Sequence, residues 1–398
     1  MNPELLARLR TPEGVTALAA AEAVTGRDPL VAASALRSRG VAPDLAAAAL
    51  TQIELRRRAA AKFGTAAATM FFTRAGLEQA TRAAVADRRA ARLAAAGIRT
   101  LADLGCGLGA DALAAARAGI LVYAVESDPL TAAIAAANAA ATGLADAVRV
   151  ECADATTVRV EDYDAVFADP ARRRSGRGRV FDPRAYSPPW DFVAGLARRV
   201  PHTVLKLAPG IDHSLLPPGA EGEWVSVGGD LVEAAFWCGP LASAPRRATL
   251  LPGGAELTGT GTVAAPVSTV GAFLYDPDPA VVRAHLVAEF AAAVGGRLAD
   301  PEIAYVYTDR PADTPFGRRL PVTDVLPFSL KRLRSLLRER GVGRLEIRKR
   351  GSALEPERLR RELRLSGPAA ASLVLTRVAG EPTALLCRPP EDNAACVG

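Results

Sequence analysis

The chain has 398 residues, of which 23% are charged and 49% apolar, and a formal net charge of +6. Such a length suits two or three folded domains, and the balance of apolar and charged residues excludes a disordered chain. No uncharged apolar run reaches about 18 residues, and no basic leader precedes an apolar block in Met1 to Gly14, so a soluble cytoplasmic protein with no membrane partner is expected.

Residues 1–95 are rich in Ala and Leu at helical spacing, as in Leu5, Leu6 and Leu9 or Leu77 to Val85, and predict a helical N-terminal region. Over 96–240 short apolar strands alternate with helical stretches. The strands are expected at 100–104, 121–125, 147–151, 165–168, 203–207, 224–227 and 231–238. Strand and helix in alternation imply a doubly wound parallel sheet, and the last two strands, separated only by 228–230, an antiparallel hairpin. Pro and Gly thicken over 239–266, which reads as a linker or a small β excursion. The remainder of 241–398 reads as a small α+β domain. Its helices are expected near 279–294, 328–340 and 356–365, and its strands at 303–307, 344–347, 371–378 and 383–387.

The stretch from Leu101 to Asp111 reads as a strand, a glycine turn and the start of an Ala-rich helix. Gly105, Gly107 and Gly109 let the backbone approach a ligand where a β-carbon would clash, and the helix N-terminus offers unpaired N–H groups. Gly105-x-Gly107-x-x-Ala110 also satisfies the permissive dinucleotide fingerprint. Three acids separate the two ligands. Asp103 stands two residues before the first glycine, placed to hold a cationic amino group; Glu126 ends the second strand, placed to accept ribose hydroxyls; Asp154 follows the third, placed to take an adenine amino group. That trio fits S-adenosylmethionine, which has a charged aminoacyl end and no diphosphate. The fourth strand ends in Asp169-Pro170-Ala171-Arg172-Arg173. Ligands of open α/β sheets lie at the carboxyl ends of strands, so Asp169 is expected beside the methyl donor, in both cofactor binding and catalysis.

The run from Asp103 to Cys238 resembles class I S-adenosylmethionine-dependent methyltransferases. More narrowly, Phe72-Thr73-Arg74 with Leu77-Glu78-Gln79-Ala80-Thr81, Asp169 to Arg173, Val180-Phe181-Asp182-Pro183 and Lys206-Leu207-Ala208-Pro209-Gly210 resemble a bacterial methyltransferase family that carries a C-terminal THUMP-like domain. Val325-Leu326-Pro327-Phe328 and Arg348-Lys349-Arg350-Gly351 resemble that THUMP-like part. The order of motifs is also similar to that of trimethylguanosine synthases. The resemblance implies an α/β fold with a Rossmann-like, seven-stranded class I methyltransferase domain, a helical N-terminal region and a small α+β C-terminal domain. It also implies methyl transfer to RNA, tRNA or rRNA, because THUMP domains accompany RNA-modifying enzymes.

Charge is concentrated. Nine basic residues between Lys331 and Arg350 face two acids, giving that segment +7, and six arginines from Arg172 to Arg184 face one, giving +5; the rest of the chain is net negative. Two basic patches on an acidic background suit a polyanion, and Arg172, Arg173, Arg174, Arg332, Arg334 and Lys349 are expected to contact RNA. Ser187-Pro188-Pro189-Trp190 looks like a base-stacking motif but lacks the preceding apolar strand, so it reads as a helix start fixed by prolines, from which Tyr186 or Trp190 can still stack on a base. Five scattered cysteines (Cys106, Cys152, Cys238, Cys387, Cys396) without a CxxC pair, and three dispersed histidines, predict neither disulfides nor a metal site. Cysteine-dependent methylation of cytosine C5 is disfavoured, because no cysteine lies in the loop after the fourth strand or in the one after the fifth.

Only four of the 49 basic residues are lysines. Lys62, Asp169, Lys206 and Glu233 follow the order of a tetrad that methylates ribose 2′-hydroxyls, with Lys206 as a catalytic candidate and Lys62 as a tetrad member or substrate contact. Methylation of a base nitrogen asks less, since Asp169 and backbone carbonyls suffice to align an amine and accept its proton. The alternative from another class is a non-catalytic RNA-binding protein that retains the fold. A small-molecule methyltransferase leaves both arginine patches without a task, and no obligate protein partner is expected.

Overall fold

A computed structural model describes residues 1–172 and 186–389. Arg173, Arg174, Arg177, Arg179, Arg184 and Cys396 lie outside the described residues. The chain forms two compact units, Met1–Ala220 with Ala235–Ser243, and Glu221–Ala234 with Ala244–Gly398.

In the first unit, helices α1 (Pro3–Leu9), α2 (Pro12–Glu22), α3 (Pro29–Arg37) and α4 (Pro43–Phe63) each open on a proline. Proline suits that position because its missing N–H has no intrahelical acceptor there. The side chains of Asn2, Thr11 and Asp28 cap the first three. Helices α5 (Arg74–Gln79) and α6 (Ala83–Ala95) follow. The alternating part then runs β1 (Thr100–Leu104), α7 (Ala110–Arg117), β2 (Leu121–Glu126), α8 (Pro129–Ala141), β3 (Val148–Cys152) and β4 (Ala165–Ala168). After it come the short β5 (Ala171–Arg172) and β6 (Tyr186–Ser187), α9 (Trp190–Arg199) and β7 (Thr203–Leu207). Parallel pairing gives the order β3-β2-β1-β4-β7. Chain direction therefore reverses its march between β1 and β4, the switch point where doubly wound sheets bind ligands. The N-terminal helices share one apolar core with this sheet, Leu45, Ile53 and Phe72 belonging to the same cluster as Leu101, Leu113 and Phe167.

Two buried amides fasten the N-terminal region to that core. Gln52 on α4 accepts from the Phe72 N–H at 3.0 Å and donates to its carbonyl at 2.8 Å. Asn138 on α8 treats Phe71 the same way, at 2.7 and 3.1 Å, and donates also to the Leu108 carbonyl at 3.0 Å.

The second unit contains β8 (Glu221–Val227), most of β9 (Asp230–Trp237), β10 (Arg246–Leu251) and β11 (Ala255–Gly259). The pair β10 and β11 occupies the stretch read as a linker or a small β excursion, and it is the excursion that forms; Pro and Gly there mark the turns around two strands. Buried Glu221 and Glu223 on β8 are matched on β10 by Arg247 at 2.8 Å and Thr249 at 2.6 Å. A seven-stranded sheet runs β13 (Arg297–Leu298), β14 (Val306–Thr308), β12 (Phe273–Pro277), β15 (Gly317–Pro327), β18 (Glu381–Cys387), β17 (Ala369–Val378) and β16 (Val342–Lys349). Helices α12 (Leu330–Glu339) and α13 (Pro356–Leu363) bury Leu333, Leu337, Leu359 and Leu363 with Leu373 and Leu386. A separate cluster packs Leu274, Tyr305, Tyr307 and Leu320. The single helix expected over 279–294 is two, α10 (Pro279–Arg283) and α11 (Val287–Ala293), because His285 turns the chain at φ 62°. The strand expected at 303–307 begins at Val306.

Candidate active site

The first strand ends inside the sheet, and the chain must then clear β4 and turn into α7. Gly105, Gly107 and Gly109 all lie at positive φ (88°, 55° and 86°), where a side chain is strained. A β-carbon on Gly105 would also meet the Asp169 carbonyl oxygen at 3.1 Å, so the chain leaving β4 and the glycine turn approach closely through backbone. The Asp169 N–H completes the contact by donating to the Leu104 carbonyl at 3.3 Å.

Asp103 is fully buried, and neither carboxylate oxygen has a hydrogen-bond partner among the described residues. Burial pushes its pKa well above the usual carboxylate range; Asp111 and Asp169 push it further, while Lys206 and Arg89 oppose them. An orphaned carboxylate at the base of a glycine turn is the complement of an ammonium group. Glu126 ties the two loops together, accepting from the Gly107 N–H at 3.2 Å and from the Asp128 N–H at 3.0 Å. Asp154 is exposed and caps the turn Ala155–Thr157, accepting from the Thr156 N–H at 2.8 Å and its hydroxyl at 2.7 Å; these bonds hold its carboxyl below the usual range.

Lys206 on β7 donates to Asp169 Oδ2 at 2.5 Å, with side-chain exposures of 12% and 34%. The pair stands at the carboxyl ends of neighbouring parallel strands. Lys62 is engaged differently from expectation. Its Nζ donates to the carbonyls of Leu77, Glu78 and Ala80 at 2.7, 2.9 and 3.1 Å, which accounts for all three donors. Burial lowers its pKa, and the nearby charges of Arg82 and Lys206 lower it further. Glu233, the last member of the ordered quartet, is buried on β9. Trp190 opens α9 directly after Pro189, as the proline-fixed helix start requires. The Tyr186 backbone pairs with that of Arg172.

Three residues given no role above join the cluster. Asp111, in the first turn of α7, accepts from the Thr81 hydroxyl at 2.6 Å and from Arg89 Nε at 2.9 Å. Asp111 lies inside the glycine motif, but nothing in the spacing pairs it with an arginine twenty-two residues earlier.

The basic segment 331–350 is less open than its composition suggests. Arg334 Nε donates to the Glu362 carbonyl at 2.6 Å, and Lys349 Nζ to the Leu354 carbonyl at 2.9 Å. Arg340 pairs with Asp324 at 2.8 Å, and Arg348 and Arg350 with Asp276 at 2.6 and 2.8 Å. Arg334 and Lys349, both expected at RNA, each hold a helix or loop end in this way. Lys331, Arg332, Arg338 and Arg344 are exposed and have no carboxylate partner among the described residues.

Over 351 residues the chain is 37% identical to an uncharacterised S-adenosylmethionine-dependent methyltransferase of Mycobacterium tuberculosis, a match that covers 84% of this chain and 95% of that one. The chain belongs to the S-adenosylmethionine-dependent methyltransferases. Residues 101–172 match the methyltransferase domain family, residues 317–389 the THUMP domain-like family, and residues 2–59 a domain family of unknown function. A 76-residue stretch, 18% of this chain and 17% of the other, is 46% identical to the 23S rRNA (uracil(1939)-C(5))-methyltransferase of Acidithiobacillus ferrooxidans. The fold is similar to that of a candidate methyltransferase from Porphyromonas gingivalis W83, with a TM-score of 0.71, 23% identity and coverage of 88% of this chain and 92% of that one.

This methyltransferase thus has a class I domain and a THUMP-like region, and its cofactor is S-adenosylmethionine. The residues present suit it: the orphaned Asp103 carboxylate for the ammonium, the glycine turn for close backbone approach, and Glu126 for ribose hydroxyls. The cofactor supplies an electrophilic methyl group on a sulfonium. No group of His, Cys, Asp and Glu among the described residues could hold a metal ion, and no described helix is long and apolar enough to cross a membrane.

Proposed function

We propose that this methyltransferase modifies RNA at a base nitrogen. The observation that carries RNA is the set of exposed cations Lys331, Arg332, Arg338 and Arg344 within the THUMP-like region, which have no carboxylate partner among the described residues. A surface of unopposed cations is what phosphate neutralisation needs. The rRNA substrate of the Acidithiobacillus relative supports the same class. Its uracil-C5 chemistry does not transfer, since that carbon needs a thiolate. Among the described residues, burial pushes the Cys106 thiol well up, Cys238 to about 11 and Cys387 to about 12, and Cys152 lies on β3, three strands from Asp169.

Nitrogen is favoured over ribose because Lys62 is engaged by three carbonyls, which leaves the lysine quartet without a free first member. Asp169 would hold the N–H of the target amine, aim its lone pair toward the glycine turn and accept the proton released. Lys206 orients the Asp169 carboxylate from the Oδ2 side. Tyr186 and Trp190 supply aromatic surface for stacking the base, and Arg172 to Arg174 further phosphate contacts.

The test is incubation of the full-length protein with isotopically labelled S-adenosylmethionine and total RNA from a deletion strain, followed by nucleoside mass spectrometry. Label that stays with the base after glycosidic cleavage is the expected result. Label on the ribose restores the quartet, and no incorporation into RNA removes the substrate class.

A further inference from the structure

Arg89 on α6 and Asp111 on α7 form an ion pair with side-chain exposures of only 4% and 11%. Arg89 donates from Nε to Asp111 Oδ1 at 2.9 Å, the Thr81 hydroxyl donates to Oδ2 at 2.6 Å, and the guanidinium lies 4.7 Å from the Phe167 ring centre. Thr81 and Arg89 precede the matched methyltransferase segment 101–172. The pair therefore joins α6 to the first turn of the helix that follows the glycine turn, and to the strand that delivers Asp169.

A buried ion pair alone is weak evidence of purpose, since apolar residues of similar volume often serve stability as well. Its neighbour Asp103 makes the difference. The charged and titratable groups around that carboxylate are Arg89 from α6, Asp111 from α7, Asp169 after β4, Lys206 on β7 and, in its own turn, the Cys106 thiol with Glu126 beyond it. Asp103 and Phe167 are register partners on the paired strands β1 and β4, so the guanidinium beside the Phe167 ring stands next to a fully buried carboxyl that has no hydrogen-bond partner among the described residues. Without Arg89, Asp103 would face Asp111 and Asp169 with Lys206 alone in opposition, and Lys206 is already bound to Asp169. A buried carboxylate in that field takes up a proton, and a neutral acid is a poor partner for an ammonium.

We propose that Arg89, anchored by Asp111 and Thr81, is a positioning residue for cofactor binding: its guanidinium favours the charged form of Asp103 that receives the cofactor's ammonium. Binding then removes any proton Asp103 still carries, so affinity for S-adenosylmethionine rises with pH through a midpoint set by these neighbours, until the cofactor's own α-ammonium loses its proton near about pH 8, a fall common to all variants. Neither this role nor its test depends on the RNA substrate.

The test is calorimetric titration of the full-length protein with S-adenosylmethionine across about pH 6 to 9. Arg89→Gln should move the midpoint upward by roughly one pH unit, a tenfold loss of affinity below the midpoint, and Arg89→Lys should restore most of it. Asp111→Asn removes a negative charge beside Asp103 and should move the midpoint downward. Phe167→Leu disturbs the packing under Arg89 but no charge, and should lower stability with the midpoint unmoved. A folded Arg89→Gln protein whose midpoint equals that of the wild type overturns the proposal, whatever its affinity. Should that variant not fold, an unmoved or raised midpoint in Asp111→Asn overturns it instead.

Discussion

Replacing Asn138 with Ala tests how the N-terminal helices reach the cofactor turn. Asn138 is fully buried and makes three hydrogen bonds, two to the Phe71 backbone and one to the Leu108 carbonyl. Truncation leaves one N–H and two carbonyls in the interior without a partner. Each such group costs roughly 1–3 kcal/mol, and with partial relaxation the sum is about 3–5 kcal/mol. For a unit of this size that lowers the melting temperature by on the order of 10 °C. Leu108 lies between Gly107 and Gly109, so loosening it should also weaken S-adenosylmethionine binding. Thermal unfolding with and without cofactor measures both effects. A shift below about 2 °C with unchanged affinity would refute the view that this side chain couples the two regions.

Asp103→Ala and Glu126→Ala should each weaken S-adenosylmethionine by about 1–3 kcal/mol, because each strands a charged or hydroxyl group of the ligand; unchanged affinity in folded variants removes the site assignment. Asp169→Ala should abolish most turnover with little change in cofactor dissociation constant, and Lys206→Met should follow it in part, since it only orients that carboxylate. A near wild-type rate on RNA in Asp169→Ala excludes the residue from catalysis. Changing Lys331, Arg332, Arg338 and Arg344 together to Gln should flatten the slope of log RNA affinity against log salt by about 3, at about 0.7 per phosphate on a single strand. An unchanged slope makes the THUMP-like face an ordinary solvated surface.

The glycine turn was legible because its pattern is local: a strand, a tight turn that only glycine fits, and a helix start lie within eleven residues. The alternating order gave the sheet for the same reason. Long-range pairing was not legible. Lys62 was expected at phosphate or in the ribose quartet, and the structure gives it the carbonyls of Leu77, Glu78 and Ala80, a use that depends on how α4 meets the chain after α5. Arg334 and Lys349 look like their neighbours in sequence and differ only in the carbonyls within reach. Strand β15 went unseen because its eleven residues, with Pro321, Pro327, Arg318 and Arg319, bury Leu320 alone. The break at His285 carries no glycine or proline at the turning residue.

Neither unit is a continuous piece of chain. The polypeptide leaves the first after Ala220, returns at Ala235 and leaves again after Ser243, so β9 begins in one unit and ends in the other. A single cut therefore cannot release the second unit intact. Truncation after Ser243 strips buried Glu221 of Arg247 and Glu223 of Thr249, while a fragment starting at Ala244 lacks β8 altogether. A boundary drawn anywhere between 220 and 244 therefore divides strands that the two units share or pair.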